Sequence, residues 1–134
     1  MTVIFPDVEK VLVAGLKAAL LARSEPLAAN VYVATKKPAS DFTPYPSKIV
    51  QVRADGGPQL DDVRKTERIG VNVWCDTYAT ANELSLLVTA LMKTLTGEHI
   101  KYVNTVLSPV RVDEASTEEH RYMTFELVVK GQTL

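Results

Sequence analysis

The sequence predicts an α+β fold. It is a single domain of order α-β-β-β-α-β-β, with a mainly antiparallel sheet and two helices packed on one face. Three observations carry this. Ile69, Val71, Val73 and Cys75 alternate with Arg68, Asn72 and Asp76, the period of a half-buried strand. Leu84, Leu87, Val88, Leu91, Met92 and Leu95 then recur at helical spacing as one apolar stripe. Near the end, Met123, Phe125, Leu127 and Val129 alternate with Tyr122, Thr124, Glu126 and Lys130, a second one-sided strand. A chain of 134 residues is long enough for one hydrophobic core, and no repeat or linker divides it.

The elements follow in order. Phe5-Pro6-Asp7 opens a helix: Pro6 suits a first turn, and Asp7 with Glu9 suits the positive end of the helix dipole. Val8, Val11, Leu12, Gly15, Leu16, Ala19 and Leu20 form its stripe, Gly15 and Ala19 are small enough for close approach, and Pro26 stops it. Asn30 to Thr35 is a short strand with Val31 and Val33 on one face. Lys36 to Ser47 carries three prolines, which rule out regular structure for most of it. This arm also holds Phe42 and Tyr45, as exposed contacts or as rings folded back on the core.

Lys48 to Ala54 is a strand with Val50 and Val52 inward. Asp55-Gly56-Gly57-Pro58 breaks it with a plain turn, since neither GxGxxG nor GxxxxGK spacing is present. The polar segment to Lys65 is a loop or the tip of a long hairpin. The central strand ends at Trp74, on the face opposite Val71 and Val73, where it meets solvent or a partner. Thr80-Ala81-Asn82-Glu83 has capping-box form before the second helix, and Gly97 stands where a left-handed residue would close it. Glu98 to Val112 is a strand region whose Pro109 requires an edge or a bulge. Asp113 to His120 is an acidic connection to the last strand, Arg121 to Lys130.

Composition excludes more than it assigns. The net charge of −1 gives no global electrostatic footprint for nucleic acid or anionic membrane. The single cysteine, Cys75, allows neither an intrachain disulfide nor a cysteine-zinc cluster, and fits a reducing compartment. The apolar run at residues 11–22 is preceded by Asp7 and Glu9 and interrupted by Lys17, unlike a signal peptide. No run reaches the roughly 20 apolar residues of a membrane span. His99 and His120 lie outside HxxxH and HExxH patterns and read as surface residues. The expectation is therefore no catalytic residue, no metal and no cofactor.

Three stretches resemble the tail terminator proteins of long-tailed, siphovirus-type bacteriophages, in particular those of actinobacterial phages. They are FPDVEKVLVAGLKAAL, the strand-to-helix junction RIGVNVWCDTYATANELSLLVTALM, and the closing HRYMTFELVVKG. The resemblance spreads over most of the chain and implies a non-enzymatic role. Such proteins form a homohexameric ring on the head-proximal end of the tail tube, assembled in the host cytoplasm, where they stop tube growth. The implied partners are the major tail tube protein, a head-completion or stopper protein and the length-setting tape measure protein. Genomic DNA passes through the channel without sequence-specific binding, and no membrane is involved. A ring of one subunit needs two different contact patches. Phe42, Tyr45, Arg64, Lys65, Arg68 and Trp74 are the interface candidates. Glu114, Glu118 and Glu119 are candidates for the lumen, where carboxylates would repel phosphate. Two alternatives stand beside this reading: another head–tail connector or tail completion protein, and a small ligand-binding or enzymatic domain using Cys75 or His120.

Overall fold

The computed structural model describes residues 2–134. Its elements run β1 (Val3–Ile4), α1 (Val8–Leu21), a 3-10 turn (Pro26–Ala28), β2 (Tyr32–Ala34), β3 (Lys48–Ala54), β4 (Arg64–Cys75), α2 (Tyr78–Met92), β5 (Ile100–Val112), β6 (Glu119–Lys130) and β7 (Gln132–Thr133). The main sheet has the order β2-β3-β4-β6-β5, and every pairing in it is antiparallel except β2 with β3. Both helices lie on one face. Between them and the sheet sit Leu12, Leu16, Leu84, Val88 and Met92 against Val50, Val52, Ile69, Val71, Met123, Phe125 and Leu127. These are the residues the two periodicities select. The predicted order holds, with the small β1–β7 ribbon added by one pair of two-residue strands too short to show a period.

Helix α1 begins at Val8, two residues later than a Pro6 start implies. Asp7 is its cap, its carboxylate accepting the Lys10 N–H at 3.2 Å. Glu9 in the first turn reaches across to accept the Ala54 N–H at 2.9 Å, which ties the helix to the end of β3. The helix ends at Leu21, before Pro26, which instead opens the 3-10 turn. Lys48 closes that turn, its ammonium donating to the carbonyls of Pro26, Leu27 and Ala29 at 2.8, 3.1 and 2.8 Å. Gly15 lies against Leu95: a Cβ there would stand 3.1 Å from Leu95 Cδ2, so the small residue sets how closely α1 meets the end of α2.

Two expected caps are corrected. Helix α2 starts at Tyr78 with Thr77 as its cap, the Thr77 hydroxyl accepting the Thr80 N–H at 3.2 Å. The strand reaches Cys75 and only Asp76 separates it from that cap, so Thr80 and Glu83 fall inside the helix. Gly97 is not a left-handed terminator. The helix stops at Met92 with Lys93 in right-handed geometry, and Gly97 donates its N–H to Ile100 O at 2.8 Å.

The segment after Gly57 is the tip of a long hairpin. Gly56 takes φ +81°, Thr66 donates to Pro58 O at 2.9 Å, and Leu60 donates to Arg64 O at 2.9 Å. β5 is an edge strand with register shifts between Thr105 and Leu107 and between Leu107 and Val110, the stretch that contains Pro109.

Candidate functional site

The sheet face away from the helices is where the sequence candidates gather. Ile49, Trp74 and His120 occupy it at the Cys75 end of β4, with Ile49 opposite Trp74 and Trp74 opposite His120. Trp74 is on the predicted outer face, yet it is only 8% exposed. This corrects its expected contact with solvent. The physical reason is that two connections close over it. The His120 ring stacks on the indole (centroids 4.5 Å apart, 22° between planes), and Lys37 from the proline-rich arm places Nζ 4.5 Å from the indole centroid. Trp74 Nε1 donates to Glu114 Oε1 at 3.0 Å, and Lys37 donates to Glu118 at 2.8 Å. The arm and the acidic connection are thereby pinned to each other over one indole.

His120 is likewise buried, against the surface reading. Its polar surroundings have a fixed direction. Gln51 Nε2 donates to the Thr35 carbonyl at 3.3 Å, so Gln51 Oε1 is left to accept from Asn72 Nδ2 at 3.1 Å. Asn72 Oδ1 then faces His120 Nε2 at 2.7 Å, which makes Nε2 the donor. Nδ1 meets Glu114 Oε2 at 3.2 Å. Two effects oppose each other on this ring. Burial lowers the His120 pKa below its ordinary value; the Glu114 carboxylate, by charge and hydrogen bond, raises it. Burial prevails, helped by the nearby Lys37 charge. For Lys37 the balance is reversed. Burial would lower its pKa, but the Glu118 hydrogen bond and the Glu118 charge outweigh it, and the pKa is raised.

The other candidates take these places. Phe42 is exposed and packs edge-to-face on Tyr32, centroids 5.7 Å apart; Tyr45 is exposed on the same arm. Neither ring is folded into the core, and Phe42 rests on Tyr32 at its edge. Arg64 pairs with Asp61 at 2.7 Å at the hairpin tip, Lys65 with Glu67 at 3.4 Å, and Arg68 with Glu126 at 3.2 Å. Glu114 and Glu118 are held in the Trp74 cluster, and Glu119 pairs with Arg121 at 3.3 Å. The three lumen candidates are therefore all engaged within the subunit. Sequence reasoning missed Lys37, Asn72 and Arg121. Arg121 is almost fully buried on the helix face, donating from Nε to Asn82 Oδ1 at 2.8 Å. Its place on the inward side of the last strand's alternation was the available signal.

A Cys75–His120 nucleophile is not assembled. Cys75 points to the helix face and His120 to the other, and burial first of all pushes the thiol up to about 11. Among the described residues, no group of three or more His, Cys, Asp or Glu side chains is placed to hold a metal ion. No described helix is long and apolar enough to cross a membrane.

No family model matches the chain, and no curated protein matches it in sequence. The fold is similar to that of a chain in the solved structure of the virion of a native gene transfer agent particle. The TM-score is 0.63 at 15% identity, over 93% of this chain and 98% of that one. Such a likeness shows a shared fold over nearly the whole of both chains.

Proposed function

We propose that this chain is a non-enzymatic structural protein of a phage-type particle. More specifically, it is a tail terminator: a homohexameric ring on the head-proximal end of the tail tube, between the tube and the head-completion protein. The carrying observation is the near-complete match in fold and length to a chain of the gene transfer agent virion. The sequence resemblance supports the same reading independently. The pinned loops over Trp74 fit it too, because connections already ordered in the subunit lose less freedom on meeting a neighbour. A second copy, the tube protein and the head-side protein are the partners, with DNA passing through the channel.

Electron microscopy of negatively stained protein, alone and mixed with tail-tube protein, tests this, with native mass measurement in parallel. Six-fold rings, or caps at one end of each tube, are the expected result. A monomer that leaves tubes uncapped overturns the proposal. Rings that bind head-side protein but not tubes would move the assignment to another head–tail connector component.

A further inference from the structure

Two features at opposite ends of the sheet remain unused by the reading above. At one end, a groove between α2 and β5 of about 320 Å³ is lined by Tyr78, Asn82, Leu86, Pro109, Arg111 and Arg121. Tyr78 and Leu86 are 59% and 62% exposed, large apolar groups open to water. Arg111 and Arg121 stand directly opposite each other across the β5–β6 pair. Like charges in that position repel. Arg121 is stabilised by Glu119, Asn82 and the Tyr78 ring, whose centroid is 5.0 Å from its guanidinium carbon. Among the described residues Arg111 pairs only with the highly exposed Asp113, at 3.4 Å. The groove sets the exposed Tyr78 and Leu86 beside the exposed Arg111, over the buried Arg121.

At the other end, the β3–β4 hairpin presents Leu60, 52% exposed, beside the exposed Asp62. Asp62 has no side-chain partner among the described residues. The tip is rigid. The Asp61 carboxylate accepts the N–H groups of Val63 and Arg64 at 3.0 and 2.8 Å and pairs with the Arg64 guanidinium. An apolar residue beside an unpaired carboxylate complements exposed apolar groups beside an exposed arginine. Along β4 the two features are about 30 Å apart, at roughly 3.3 Å per residue, so one subunit cannot join them itself.

We propose that the Leu60–Asp62 tip of one copy docks in the Tyr78–Leu86–Arg111 groove of the next, giving a head-to-tail contact between copies of this chain. This inference rests on the ring reading, because a heterologous contact is the kind that closes into a ring. It supplies that reading with its two complementary patches.

The test is site-directed cross-linking of the full-length chain, under the conditions in which it assembles. Leu60→Cys and Leu86→Cys, made separately and mixed, should cross-link between copies with a short bismaleimide; neither should do so alone. The native Cys75 is buried and stays silent. Asp62→Arg should cut the yield about tenfold, as loss of a charge pair worth about 1.4 kcal/mol does. Adding Arg111→Asp to it should restore the yield. Circular dichroism confirms that each variant is folded.

Rings or caps without the cross-link overturn this contact and leave the ring reading standing. A protein that forms no assembly, even with tubes, overturns both. Arg111→Asp blocking a head-side protein while self-assembly persists would assign the groove to that partner, and refute the self-docking proposal.

Discussion

Trp74→Ala is the substitution that most directly probes how this fold holds its loops. The indole is more than nine-tenths buried, with His120 on one side, Lys37 on the other and Glu114 on its N–H. Removing a buried Trp costs about 3–5 kcal/mol. The overlying loops can settle partly into the space, so the lower end, about 3 kcal/mol, is expected here. For a domain of this size that corresponds to a fall in Tm of roughly 12 °C. Trp74→Phe keeps an aromatic ring between His120 and Lys37 but loses part of the bicycle and the donor to Glu114, which is part-exposed and can take water instead; about 1 kcal/mol is expected. The assay is urea unfolding followed by far-UV circular dichroism, because Trp74 is the only tryptophan and its loss removes the fluorescence probe. The same two variants read out assembly. If Trp74 acts by pinning the arm and the acidic connection, Phe retains ring formation and Ala loses it. A Trp74→Ala protein less than about 1 kcal/mol destabilised would refute the pinning argument. Loss of assembly in a folded Phe variant would make the indole a direct contact instead.

Three further outcomes follow from the same geometry. Burial lowers the His120 pKa in the folded chain, so the unfolded chain binds the proton more readily; His120 therefore removes stability as pH falls below 6.5. Urea midpoints taken across that range should fall with pH in the wild type and fall less in His120→Gln; equal slopes would remove His120 as the cause. Thr77→Ala should cost about 1 kcal/mol by uncapping α2, while Glu83→Ala, inside the helix, should be nearly neutral; the reverse order in thermal melts would restore the capping box. Gly57→Ala would set a Cβ 2.5 Å from the Thr66 carbonyl oxygen, so the hairpin must open at that rung, at a cost of about 2 kcal/mol. Hydrogen exchange at the Thr66 amide should accelerate in that variant, and an unchanged rate would contradict the close approach.

The sequence by itself determined the layers. Alternation in residues 69–75 and 123–129 and the helical stripe in 84–92 select the buried set, because a strand and a helix each bury one face whatever lies against it. Pro109 likewise announced an irregular edge, since proline has no N–H for the ladder. The caps were legible only to within a turn. Thr77 and Thr80 both offer a hydroxyl, and which one caps depends on where the preceding strand ends. The outer face was decided by tertiary structure alone. Trp74, Asn72 and His120 look like outward residues from their parity, and outward they are. Lys37, Glu114 and Glu118 come from connections with no periodicity, and Lys37 and Glu118 are 81 positions apart. Long-range pairing of that kind leaves no local pattern in a sequence. It turns an exposed indole into a buried one, and commits Glu114 and Glu118 of the acidic connection to contacts within the fold.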